Sequence, residues 1–479
     1  MRSRRPLFAL AAVALAAAAL SSGSAGAASA SAYQVYEAPR TARMAYDDAV
    51  EPTIGANWKN GRAMVIANTT PYIVSFNTAR HSATWTPSLG ITTQYTTLDP
   101  ILWSERETGR TIVSQLAGTT SLMDVSEDGG ESWQPAQGGG PSGVDHQTVG
   151  GGPYSETLKP LTATYPRAVW YCSQGVAAAF CSISTDGGFT YGPSKPLYTL
   201  AGAGPLSGCG GLHGHVNVRQ DGTAMVPNKG CLESIGTTQT TDASKVGLVT
   251  NSDNNNGPWT VDLVPDSTTR ARMDPYVDAD AANTMYLAYV DGTDKMKVAV
   301  KKKGGSWAKS VDVGKAAGVK SSAFPLVIGG SAGRVAVAYL GSKTAPEGNI
   351  DAQSAKFMGT WQLYISTSLD SGRTWSTQQV TKDERYPVQV GCIRKTSNTC
   401  NHRNLYDFNG ISVDQLGRVL VVAADGCTPD RGCINGVQYD KQSDGDDTNV
   451  AFVVRQECGP SLFAAKQAAL DKQCKVWRR

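Results

Sequence analysis

One phrase recurs along this chain and limits what it can fold into. Ser126-Glu127-Asp128-Gly129-Gly130-Glu131-Ser132-Trp133 returns as Ser184-Thr185-Asp186-Gly187-Gly188-Phe189-Thr190-Tyr191 and as Ser368-Leu369-Asp370-Ser371-Gly372-Arg373-Thr374-Trp375. The rule is Ser-x-Asp-x-Gly-x-(Ser/Thr)-aromatic. Its physical reading is a β-hairpin tip. The carboxylate bonds amides of its own turn, Gly supplies a positive φ, a hydroxyl ties the far side, and the aromatic ring is buried as the chain re-enters the sheet. Asp128, Asp186 and Asp370 are therefore structural in expectation.

Between these phrases a second pattern repeats, a Gly turn followed by a short apolar strand. It reads Asn60-Gly61-Arg62 before 63–66, Thr108-Gly109-Arg110 before 111–113, and Asp221-Gly222-Thr223 before 224–226. It returns as Gly333-Arg334 before 335–337 and Gly417-Arg418 before 419–422. Degenerate copies of the first phrase fall at 78–85, 251–259 and 300–307, each ending on Trp. Repeats of four short antiparallel strands predict an all-β propeller, since a single blade cannot cover both faces of its sheet. Seven units are expected, starting near Pro52, Asp99, Asp145, Gly211, Asp274, Phe324 and Asp407; six blades is the alternative, with one unit as an accessory sheet. The seventh unit has three clear strands, and residues 33–39 could supply its fourth and close the ring.

The repeated phrase resembles the Asp-box, or BNR repeat, of the sialidase-like β-propeller superfamily. That resemblance implies a propeller with the boxes at blade corners, remote from a catalytic face. It also implies an exo-acting glycosidase in which an Arg cluster binds a sugar carboxylate, a Tyr assisted by a Glu attacks the anomeric carbon, and an Asp is the acid/base. The family's Arg-Ile-Pro motif is absent here, so only the Asp-box residues carry over.

Residues 1–30 read as a secretory signal, with Arg2, Arg4 and Arg5 ahead of an apolar run and a small-residue stretch. Ser3-Arg4-Arg5-Pro6-Leu7-Phe8 partly matches a twin-arginine signal, which leaves Sec and Tat export both open. The expected organisation is a signal at 1–30, one propeller domain at 31–457 and a helical tail at 458–479. The tail helix is expected over 461–473, with Leu462, Phe463, Ala469 and Leu470 as its apolar side. Removing three arginines from 44 basic residues leaves 41, equal to the 41 acidic ones. A neutral mature chain has no electrostatic footprint for nucleic acid or anionic membrane, and no later segment reads as a membrane span. A monomer is expected.

All ten Cys lie beyond residue 170, an even number that favours disulfides in an exported chain. Neighbours in sequence suggest Cys172 with Cys181, Cys209 with Cys231, Cys392 with Cys400, Cys427 with Cys433, and Cys458 with Cys474.

Propeller geometry converts the strand list into a candidate site. If the repeated turns join third to fourth strands on one face, the starts of the innermost strands converge on the axis at the other. Those starts carry Asp99, Asp145 with His146, His213 with His215, Asp274 and Asp407. Core strands rarely carry such groups unless they are paired or used. Loops of the same face add Arg270 and Arg272, and then Glu384, Arg385, Tyr386, Arg394, His402, Arg403 and Tyr406; Tyr276 follows Asp274. His146, His213, His215, Asp274, Arg272 and Asp407 are the candidate catalytic groups. Asp99, Asp145, Arg270, Tyr276, Arg385, Arg403 and Tyr406 are candidates for substrate binding. Turn capping is the alternative reading of Asp99-Pro100 and Asp274-Pro275.

No cofactor is required by this reading. His213 and His215 form a candidate zinc pair that lacks an evident third ligand, and Asp444, Asp446 and Asp447 are a candidate calcium turn better read as a solvated acidic loop. An axial funnel of acids, cations, imidazoles and phenols suits an acidic oligosaccharide or polysaccharide as partner. Three functions follow: a sialidase-like exo-glycosidase, a polysaccharide lyase cleaving uronic-acid chains by β-elimination, and a non-catalytic glycan- or protein-binding propeller.

Overall fold

The computed structural model describes residues 31–479 apart from 43–44, 46–48, 91–97, 139–144, 156–161, 176–177, 200–208, 233–244, 348–351, 353–356, 382–386, 392, 394–404, 427–432, 435–436 and 439–448. Seven antiparallel sheets radiate as blades. The innermost strands are Thr53–Ala56, Leu98–Ser104, Asp145–Gly152, Cys209–His213 with Asn217–Val218, Tyr276–Ala279, Ser321–Gly329 and Gly410–Val413. Their order matches the seven expected units.

The seventh blade is built from both ends of the propeller. Ala32–Glu37 pairs antiparallel with Val450–Cys458, which pairs with Val419–Asp425 and through it with Gly410–Val413. The expected closing strand is therefore present. Buried charge reinforces this closing blade: Arg455 Nε donates to Glu457 at 2.7 Å and the Tyr36 hydroxyl donates to the same carboxylate at 2.8 Å. Burying these charges is tolerable because each is paired.

Each repeated turn closes as its residue types dictate. Asp128 Oδ1 accepts from the Glu131 and Ser132 amides at 3.0 Å, Oδ2 accepts from the Ser132 hydroxyl at 2.6 Å, and the Ser126 hydroxyl both donates to Asp128 and accepts the Gly130 amide. Gly129 and Gly130 sit at φ of 79° and 94°, where a side chain would be strained. The bonds from the last hydroxyl residue's amide and side chain recur around Asp186 and Asp370. Between blades the core is apolar: strands such as Val335–Ser342 and Val450–Cys458 are buried along their full length, and Trp170, Trp259 and Trp361 are enclosed between sheets.

Three disulfides are present among the described residues, Cys172–Cys181, Cys209–Cys231 and Cys458–Cys474. They match three expected pairs and are a pattern of oxidising compartments. Cys392, Cys400 and Cys427, like the side chain of Cys433, lie outside the described residues. The tail differs from expectation. A 3-10 turn at Ala464–Lys466 precedes an α-helix at Gln467–Trp477, and the helix buries Leu470 and Cys474 while Ala469 is exposed. Leu462 and Phe463 lie before the helix begins, Phe463 with extended backbone, so the 3.6-residue pattern spans two different conformations. No described helix is long and apolar enough to cross a membrane.

Candidate functional site

The repeated turns follow third strands, so they share a face with the ends of the innermost strands. The starts of those strands gather around the axis at the opposite mouth. Here the backbone departs from regular pleating. Glu51, Asp99, His146, Phe324 and Tyr406 hold φ between 45° and 53°, the left-handed region that non-Gly residues seldom adopt. In four blades the pairing register also slips at the strand start, between Leu98 and Ile101, Asp145 and Thr148, Gly210 and His213, and Ala323 and Leu326. Such bulges re-aim side chains, and strain of this kind, roughly 1–3 kcal/mol per residue, persists where surrounding structure enforces it.

At the third blade the bulge is held by its neighbour. The His146 amide donates to Asp99 Oδ2 at 2.6 Å, and Gln147 Nε2 donates to the Asp99 carbonyl at 2.7 Å. Asp99 is thus a cap, but for the next blade rather than its own turn. The positioned His146 ring meets His213 edge-on at 5.3 Å between centroids and His215 at 6.0 Å, while Phe408 lies 5.9 Å from His146 and 5.0 Å from His215. His146 Nδ1 faces Asp274 Oδ2 at 3.5 Å, and Lys229 Nζ stands 3.4 Å from the other Asp274 oxygen.

The Nε2 atoms of His146, His213 and His215 are buried and accept or donate no hydrogen bond among the described residues. His213 Nδ1 lies 2.9 Å from the Gly214 carbonyl, which sets Nδ1 as the protonated nitrogen of a neutral ring. Burial, and next the nearby His146, push His213 down to about 4; burial, His146 and His213 push His215 to about 3. Both rings are uncharged at neutral pH. Asp145, whose outer flank is open to solvent, is raised to about 6 by partial burial of its carboxyl and then by the Asp99 carboxylate.

Other expected residues fall elsewhere. Arg272 turns to the rim of its own blade, donating to the Gly292 carbonyl at 2.8 Å and facing Asp294 at 3.7 Å, and Arg270 is exposed. Tyr276 packs its ring 5.3 Å from His215, but its buried hydroxyl is raised by desolvation and looks along the axis toward Asp278, Asn217 and Arg106. Tyr406 and Asp407 lead into Phe408 at the mouth. Glu384, Arg385, Tyr386, Arg394, His402, Arg403, Asp444, Asp446 and Asp447 lie outside the described residues. No set of three or more His, Cys, Asp or Glu side chains among the described residues is placed to hold a metal ion.

Sequence reasoning missed Lys229 and Phe408. Lys229 had a signal, because Asn228-Lys229 interrupts an otherwise apolar second strand, Ala224–Cys231. Phe408 had none beyond its position after Asp407.

Below the mouth an axial cavity of about 50 Å³ is lined by His215, Tyr276, Asn217, Trp103 and Arg106. It gives way toward the repeated-turn face to a cavity of about 250 Å³, which shares Trp103, Arg106 and Asn217 as walls.

No family model matches this chain, and no curated protein matches it by sequence. Among solved structures, a polysaccharide lyase described as an ulvan lyase bound to -[GlcA(1-4)Rha3S]- is similar over 90% of this chain and 98% of its own, at 12% identity and a TM-score of 0.44. A GH74 enzyme of Niastella koreensis is similar over 80% of this chain and 52% of its own, at 14% identity and a TM-score of 0.43. The Aleuria aurantia lectin, in complex with Fucalpha1-6GlcNAc, is similar over 74% of this chain and 99% of its own, at 12% identity and a TM-score of 0.40.

Proposed function

We propose that the protein is a secreted polysaccharide lyase that cleaves uronic-acid chains by β-elimination at the mouth carrying the three imidazoles. The observation that carries this reading is the arrangement of His146, with Nδ1 toward Asp274 and an unbonded Nε2 among neutral rings. A carboxylate behind an imidazole orients the ring and stabilises the imidazolium that forms when it takes a proton. Neutral His213 and His215 add no competing positive charge.

In this reading His146 Nε2 removes the proton on the carbon next to the uronate carboxylate, and Lys229 offsets the charge that builds on that carboxylate. The electron pair forms the new carbon–carbon double bond as the bond to the glycosidic oxygen breaks. Asp145, protonated below about pH 6, gives its proton to the leaving oxygen. All charge changes are thereby accounted for by groups of this chain.

A hydrolase is the second reading, favoured by the raised Asp145, since a carboxylic acid held protonated near pH 6 is also what a glycosidase needs as its acid. The sialidase form of it has less support, because among the described residues the mouth has Lys229 and no arginine cluster. Incubation with uronate polymers decides between them. A rise in ultraviolet absorbance from an unsaturated product supports elimination; release of reducing sugar without that rise, or of free sialic acid from a sialoside, overturns it in favour of hydrolysis. Neither signal would leave a binding propeller.

A further inference from the structure

The far end of the axis holds charged chemistry that the mouth reaction does not use. We propose that the cavity of about 250 Å³ on the repeated-turn face binds a single acidic monosaccharide, with its carboxylate on Arg106. This site is separate from the mouth and does not rest on the lyase reading.

Two guanidinium groups border the cavity, and only one is engaged. Arg167 faces Glu105 at 3.8 Å and pairs with Glu107. Arg106 makes no side-chain hydrogen bond and no ion pair among the described residues; its backbone carbonyl accepts from the Trp58 amide at 3.2 Å. It acts on Asp278 and Tyr276 only through space. A half-buried cation without a partner is costly unless water or a ligand completes it.

The surroundings select the ligand. Asp278, which lines the cavity, is 7% exposed and accepts the Ala279 and Gly329 amides at 2.8 Å each, so it stays anchored there. Buried Glu105 adds a second fixed acceptor. Two acids beside one free guanidinium repel a phosphate dianion but suit a monoanion that also carries hydroxyl donors. Trp58 and Trp103 supply flat apolar walls for the carbon face of a sugar ring. Trp103 can stand there because Gly151 has no side chain: a Cβ would lie 2.7 Å from the indole and 2.5 Å from the Ala168 carbonyl. The volume is below the roughly 300–1,000 Å³ of pockets for larger ligands, which matches one ring rather than a chain.

Calorimetry of the whole secreted chain with sodium glucuronate, glucose and inorganic phosphate tests this. Glucuronate is expected to bind at least about tenfold tighter than the other two, the worth of one charge-assisted forked contact. Arg106→Gln should lose that margin, and Arg106→Lys should keep part of it. Equal binding of glucose or phosphate, no glucuronate binding, or survival of the margin in Arg106→Gln would each overturn the proposal. If Arg106→Gln does not fold, a glucuronate-soaked crystal of the unaltered protein decides by whether the carboxylate sits on Arg106. The elimination assay reads the mouth independently of all these outcomes.

Discussion

Aspartates of the corner turns and aspartates of the axial mouth are the same chemical group put to opposite use. At the corners, the Thr374 hydroxyl and amide hold Asp370 at about 2. Burial opposes, but the hydroxyls and amides of the turn outweigh it and keep Asp128 and Asp186 below the ordinary carboxylate range. Both carboxylate oxygens accept bonds within the turn, so the charge is fixed. At the mouth, burial and the neighbouring Asp99 carboxylate drive Asp145 up to about 6, where its proton can be exchanged. Local saturation by donors makes a carboxylate structural, while crowding by a second carboxylate makes one available for chemistry.

The largest effect expected from breaking this contrast is at the mouth. His146→Ala should lower turnover of a uronate polymer per folded molecule by roughly 10²–10⁴-fold, since it removes the proposed general base. Unchanged turnover would strip the mouth of its assigned role. Acid stability comes next. His213 and His215 have folded values of about 4 and 3, below the ordinary 6.5, so their contribution to stability is complete above pH 6.5 and is lost as pH falls toward 4 and 3. Each proton taken up on unfolding gives a slope of about 1.4 kcal/mol per pH unit. Denaturant titrations between pH 7 and 4 should show it, and His213→Gln with His215→Gln should flatten it.

At the corners the expected sign is reversed, with stability affected and chemistry spared. Asp186→Ala should cost about 1–3 kcal/mol in denaturant unfolding and leave turnover per folded molecule unchanged, because the amides and hydroxyls it satisfies lose their acceptor. A finer probe is Asp99→Asn. It removes the carboxylate that raises Asp145, so the alkaline fall of the turnover profile should move to lower pH; an unmoved limb would take Asp145 out of the acid role. Smallest of all, Arg62→Ala breaks an exposed pair with Glu131 at 2.8 Å and should change stability by no more than about 0.5 kcal/mol.

The fold was legible because its signals are local. Gly129 and Gly130 at positive φ, the Ser126 and Asp128 turn bonds, and the Gly hairpins all act within a few residues, so spacing alone exposes them. Convergence of Asp99, His146, His213 and Asp274 was legible by one further step, since strand starts in a wheel must meet at the axis. What was not legible depends on distant geometry. Whether Arg272 aims at the axis or at Gly292 is decided by the packing of its blade, and nothing in Arg270-Ala271-Arg272 encodes it. Lys229 reaches Asp274 from a second strand, which no count of innermost strands would include. Arg106 looked like any turn residue until its lack of a partner became visible.

The seam between Ala32–Glu37 and Val450–Cys458 has a consequence for biogenesis. The second of these segments is made long after the first, so the wheel stays unzipped until Val450–Cys458 has emerged. Throughout that interval Ala32–Glu37 has no mate. Losing Ala32–Glu37 would leave the last spoke with a raw margin on which another molecule could dock.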